Sequence, residues 1–183
     1  MINSRDLAVI IVFSVLTIIF MFLIGQIPEL ITGIPGMAYI FTIVYSINQT
    51  VSWLMYEGRR WRILTQGLLV SLLGLLFIPT WTRPTAMATT INALIVDVVF
   101  NSLYGFFEKK KNHLWWVILS QVYYWSMHSL WIVFFASLFF YPFEYMVEQW
   151  FIPIVSLMLP IIIIEGIAGG YIGYKIYRRV EKL

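Results

Sequence analysis

Six stretches of this chain are each apolar over about the length that crosses a bilayer, and they leave little between them. They run approximately over 7–25, 36–56, 63–79, 86–107, 114–140 and 151–176. A membrane helix needs about 20 mostly apolar residues. The linkers, among them QIPELITGIP, EGRRWR, TWTRPT, EKKKNH and YPFEYMVEQW, are too short for a separate soluble domain. The 183 residues are 61% hydrophobic and 11% charged, where a soluble domain carries roughly 45–50% apolar and about 25% charged residues. A chain of this size has too little interior to hide that much apolar surface. Its 18% aromatic content is equally foreign to a disordered chain. The apolar runs do not alternate with a period of two, which excludes a β-barrel pattern. The expected fold is therefore an all-α integral membrane protein, a single six-transmembrane-helix bundle over 1–183. The run from Leu7 to Ile24 is too long for a signal-peptide core, and the segment after it offers no small-residue cleavage site, so an uncleaved first span is expected.

Positive charge sets the expected orientation. With the N-terminus inside, the inner regions hold Arg5, Arg59, Arg60, Arg62, Lys109, Lys110, Lys111, Lys175, Arg178, Arg179 and Lys182, and the outer loops hold only Arg83. Eleven of the 12 basic residues on one side is a strong bias over short loops. The outer loops carry Glu29, Glu144 and Glu148 instead. Both termini are expected in the cytoplasm and the protein in the cell membrane. The net charge of +3 calls for no nucleic acid, and the basic turns also suit anionic lipid. The glycosylation-like triplet Asn48-Gln49-Thr50 falls inside a span and reads as accidental.

Few ionisable groups lie at membrane depth, where they are expensive and face protein, water or ligand. They are Asp97, His128 and Glu165. Helical spacing puts Ala93, Asp97 and Asn101 on one face, with Thr89 and Asn92 nearer the outer end. Gln121, Tyr124 and His128 share another face beside Trp125, and Tyr45, Asn48 and Ser52 a third. Convergence of these faces would build an aromatic-walled pocket with a few orienting polar groups. The competing reading is that these side chains only satisfy one another between helices. Trp81 and Arg83 stand beside prolines in an outer loop, where Trp81 is an interfacial anchor or part of a lid. Gly166 with Gly170, and Gly169 with Gly173, form two small-x-x-x-small pairs, suited to packing within the bundle or against a partner helix.

Several chemistries are missing from the sequence. With no cysteine there is no disulfide, zinc–thiolate or iron–sulfur site. There is no phosphate-binding lysine loop, no HExxH and no GxSxG elbow. The two histidines, His113 and His128, lie about four turns apart on one helix and cannot bracket a haem. No cofactor is expected.

Taken together, the size, the six short-looped segments and two local stretches resemble the substrate-binding S component of energy-coupling factor transporters. The stretches are TINALIVDVVFNSLYGFFEKKK, similar to the family's fourth helix and basic inner loop, and LPIIIIEGIAGGYIGYKIYRRV, similar to its last helix. The resemblance implies a non-enzymatic subunit that captures a B vitamin or related micronutrient at the outer side. It also implies docking on a transmembrane coupling subunit driven by two cytoplasmic ATPases. Carried onto this chain, the ligand side holds Trp81, Asn92, Gln121, Tyr124 and His128, with Asp97 a deeper or structural member. Helix one is the docking side, where the family shows Ala-x-x-x-Ala. Here LAVIIVFSVLTIIF has Ala8 alone, with Ser14 and Thr17 further on. Ser14, Thr17, Gly166 and Gly170 are thus the candidate docking positions, and the aromatics suit a planar ring as ligand. Two other readings stay open: an accessory subunit of another membrane complex, and an intramembrane enzyme using Asp97, His128 and Glu165 around one cavity.

Overall fold

The structure, a computed structural model, describes residues 2–32, 40–78, 83–139 and 152–181. Over these residues it is an all-α bundle of six helical rods. The first rod is α1 (Ser4–Phe20), a π-helical turn (Met21–Gln26) and α2 (Ile27–Thr32). The second and third are α3 (Thr42–Met55) and α4 (Arg62–Phe77). The fourth is α5 (Arg83–Ile95), a second π-helical turn (Val96–Phe100) and α6 (Asn101–Lys109); α7 (His113–Phe139) and α8 (Ile152–Val180) complete the set. The Asn3 side chain opens α1 by accepting the Asp6 N–H at 2.7 Å. The first π turn ends two residues before Pro28, which has no N–H to continue the α-helical ladder.

Around the bundle the rods follow the order α1, α4, α5, α7, α8, α3 and back to α1, and α3 also touches α7 across the centre. Small residues set the tightest approaches. A Cβ added at Gly67 of α4 would collide with Ala93 of α5. On α8, Gly169 and Gly173 lie against Ser46 and Thr50 of α3, while Gly166 and Gly170 lie against Val122 and Ile118 of α7. Both glycine pairs are therefore consumed inside the chain.

The outer faces of the bundle are apolar. The first rod exposes Leu7, Ile11, Val15, Ile19 and Leu23, and α4 exposes Leu68, Leu72, Leu75 and Leu76. Stripes this continuous are uncommon on soluble monomers and are consistent with a membrane protein.

The expectation of six membrane spans is corrected by the helices themselves. Among the described residues, three are long and apolar enough to cross a bilayer: Ser4–Gln26, Arg83–Lys109 and Ser156–Val180. α4 is apolar but has 16 residues, a rise of about 24 Å against a hydrocarbon core of about 30 Å. α3 has 14 residues and buries Ser46, Asn48, Gln49, Thr50 and Ser52. α7 is long enough, but Ser120, Gln121, His128 and Ser129 are buried along it. The polarity of α3 and α7 follows from their place. They meet across the centre, where protein rather than lipid satisfies their side chains.

Charged residues gather at one end of the bundle. Asp6, 1% exposed, accepts Arg62 at 2.9 Å on one oxygen and Arg59 at 2.9 Å on the other. Arg59 also donates to the carbonyls of Met55 and Tyr56, closing the C-terminus of α3. Burial pushes the Tyr56 hydroxyl above its ordinary range, and Asp6 and Asp97 push it further. It stays a donor, to Gln66 Oε1 at 3.1 Å. Arg5 reaches Glu57 at 3.5 Å, and Tyr177 near the C-terminus lies within electrostatic reach of both.

Candidate functional site

Asp97 sits in the second π turn and reaches toward the charged end. Its Oδ1 accepts the Trp61 N–H and its Oδ2 the Leu64 N–H, each at 2.8 Å, and Asn101 donates to Oδ1 at 3.2 Å. A carboxylate on the first amides of α4 is a helix cap supplied from another helix. Glu165 of α8 does the same for α3, accepting the Ile43 N–H at 3.3 Å. Asp97→Ala is expected to cost about 2 kcal/mol, read as a lower thermal midpoint, with Asp97→Asn falling between. A midpoint equal to wild type would mean that the α4 amides find other acceptors.

The centre between α3, α5 and α7 is polar and aromatic. His128 Nε2 and Thr89 Oγ1 are 3.0 Å apart, and the Thr89 hydroxyl donates to the Thr85 carbonyl at 2.9 Å. Thr89 thereby spends its proton, so the hydrogen of the His128 contact belongs to Nε2. The His128 ring stacks on Tyr124 at 5.9 Å and meets Trp125 edge-on at 5.5 Å. Tyr124 also packs on Trp53 of α3 at 5.5 Å, and Trp125 on Tyr45 at 5.5 Å. Gln121 Oε1 accepts from Ser46 at 3.1 Å and from Trp125 Nε1 at 3.2 Å.

A cavity with a free volume of about 10 Å³, room for one water, opens beside this cluster. Its polar lining is Thr17, Gln49, Gln66, Thr89 and Tyr124. The Tyr124 hydroxyl meets Gln49 and Thr89. Several buried polar atoms of these helices have no hydrogen-bond partner among the described residues: both amide atoms of Asn92, Gln49 Oε1 and Gln121 Nε2.

The positions expected from sequence thus separate. Gln121, Tyr124 and His128 meet around Trp125, Asn92 is buried on α5, and of the four only Tyr124 lines the cavity. Asp97 points away to α4. Trp81 and most of the outer loops that were to cap a pocket lie outside the described residues. The face of Tyr45, Asn48 and Ser52 splits three ways: toward Trp125, toward Thr17 of α1 at 2.7 Å, and toward Gln66 at 3.1 Å. Of the docking positions, Ser14 and Thr17 are buried against the bundle, and Gly166 and Gly170 lie against the backbone of α7. Gln49, Gln66 and Trp53 were not anticipated; Gln49 and Gln66, amides within apolar runs, were the available signal. Asp97, His128 and Glu165 share no hydrogen bond among the described residues.

Comparison with protein-family models, with curated proteins and with solved structures finds no match.

Proposed function

We propose that this chain is a membrane-embedded, non-enzymatic solute-binding subunit whose ligand enters the polar, aromatic centre beside Tyr124 and His128. The observation that carries this is the set of unspent hydrogen-bonding groups around that centre, Asn92 above all. An amide that is 0% exposed with neither end paired among the described residues costs about 1–3 kcal/mol per group. A ligand with donor and acceptor edges would repay that cost, and Tyr124, Trp125 and Trp53 would flank its ring. The resemblance supplies the wider role. The subunit would serve an ATP-driven importer of a small aromatic micronutrient, with a coupling subunit and two ATPases as partners. Both termini would lie in the cytoplasm, as the basic residues at the charged end suggest.

A second reading is favoured by the cavity itself. Free volume of about 10 Å³ holds a water and no ring, so ring uptake requires α5 and α7 to part from α3. An accessory subunit of another membrane complex needs no such opening.

Asn92→Ala separates the two. If the amide serves a ligand, the variant loses retained ligand at least about tenfold, about 1.4 kcal/mol, while the empty protein becomes equally or more stable. His128→Ala should lower retention as well. The measurement is mass spectrometry of small molecules carried through gentle purification, followed by binding assays against planar micronutrients. No retained solute, with no binding across the panel, leaves the accessory reading.

A further inference from the structure

The turn between α3 and α4 spends backbone strain in an unusual place. Glu57, Gly58 and Trp61 all lie in the left-handed region, at φ of 54°, 70° and 70°. Gly58 suits that conformation, and there is no room for a side chain there because a Cβ would stand 2.6 Å from the Tyr104 ring. Tryptophan at such a φ is an outlier. Its backbone is held by Asp97, but its indole makes no hydrogen bond among the described residues. The residue is 53% exposed and has no ring partner among the described residues.

The surroundings of the indole are basic. Arg60 precedes it, exposed and without an ion pair among the described residues. Gly58 rests on Tyr104, which stacks on His113 at 5.1 Å, so the Lys109–Lys111 turn just before His113 is the neighbouring turn. Lys109 and Lys111 are exposed and unpaired among the described residues, and Lys110 lies 4.2 Å over the exposed Phe106 ring. Trp115, exposed as well, follows at the start of α7. The acids within electrostatic reach of Tyr104 are Glu108, Glu57 and Glu181; Glu57 is occupied by Arg5 at 3.5 Å and Arg59 at 3.6 Å, and Glu181 by Arg178 at 3.0 Å. Exposed indoles with cations at the end of an apolar bundle match the chemistry of a bilayer interface, where the ring sits at headgroup level and the cations meet phosphate.

We propose that the α3–α4 turn and the adjacent Lys109–Lys111 turn form a binding site for anionic phospholipid headgroups, with Trp61 as its interfacial anchor and Arg60, Lys109 and Lys111 as its phosphate contacts. The site is independent of what the centre binds.

The test reconstitutes the full chain in phosphatidylcholine vesicles holding about 30% phosphatidylglycerol and identifies the lipids that remain attached in a native mass spectrum. Wild type is expected to enrich phosphatidylglycerol over its share at least about fivefold, the preference of one well-placed cation, and to lose enrichment at high salt. The Arg60→Gln, Lys109→Gln, Lys111→Gln triple variant should fall to the vesicle composition. Trp61→Gly should weaken enrichment while its thermal midpoint stays level or rises, because glycine accepts the left-handed backbone. The proposal is overturned if wild type shows no enrichment or if the triple variant keeps it. Displacement of the lipid by inorganic phosphate, or an acidic protein occupying the turn instead, overturns it too. A lower midpoint for Trp61→Gly would make the indole a packing element and overturn its anchoring role.

Discussion

Asp6→Ala is expected to lower the thermal midpoint by about 6–12 °C, the counterpart of about 3 kcal/mol for a chain of this size. The carboxylate has one arginine on each oxygen, both at 2.9 Å. It joins α1 to the α3–α4 turn, two parts of the chain that local sequence does not hold together. Removing it leaves two guanidinium groups facing each other. Arg62 is the costlier of the pair because its side chain is 11% exposed, against 29% for Arg59. Arg59 can turn toward water, and it still closes α3 through two carbonyls, so the loss belongs near the lower end of the range for a broken buried pair. Two companion variants sharpen the reading. Asp6→Asn keeps acceptor geometry without charge and should lose about half as much. Arg62→Met in the Asp6→Ala background removes the less exposed of the two guanidinium groups that lost the carboxylate and should recover part of the loss. A midpoint within about 2 °C of wild type for Asp6→Ala would show that solvent, not Asp6, satisfies the arginines.

Much of this architecture was legible in the sequence, and the failures have physical causes. The helical class follows from the apolar runs, and the basic clusters meet at one end, as Arg5, Glu57, Arg59 and Tyr177 show. The number of bilayer-crossing helices was not legible. An apolar run of suitable length does not reveal whether its helix faces lipid or protein, and α3 and the polar face of α7 face protein. Asp97 and Glu165 were read by depth along their own helices, yet each caps a different helix. A cap supplied in trans leaves no local signature, unlike the Asn3 cap of α1. The site was half legible. Tyr124 and His128 share a face at i, i+4 spacing and do meet. Asn48 was assigned to the same pocket on similar spacing, but α1 lies on its side of α3 and takes its amide. Spacing identifies a shared face, and only the neighbour decides what the face is for.

The glycines of α8 give the sharpest packing prediction, because adding the same methyl group should have opposite effects at different positions. A Cβ at Gly169 would stand 2.5 Å from Ser46 Cβ and 2.9 Å from the Ile43 carbonyl oxygen, so α3 and α8 would have to separate. Gly169→Ala is expected to destabilise by about 3 kcal/mol, the upper part of the range for overpacking. Gly173→Ala, with Thr50 Cβ at 2.6 Å, should behave alike. Gly170 and Gly166 have their nearest neighbours at 3.2 and 3.3 Å on α7, close enough to resist but open to a shift of a few tenths of an ångström, so their alanine variants should cost less. Gly105 of α6 has nothing within 4 Å, and there alanine should stabilise by about 0.5–1 kcal/mol through helix propensity alone. Thermal midpoints of the five variants should therefore order as 105 above wild type, then 166, 170 and the pair 173 and 169. Ser46→Gly in the Gly169→Ala background removes the two nearest colliding atoms and should restore part of the loss, short of wild type because the Ile43 carbonyl stays in place and the Ser46–Gln121 hydrogen bond is lost. Equal midpoints at 105 and 169 would mean that α8 does not lie on α3 as described. The packed centre, which depends on that contact, would then have to be redrawn.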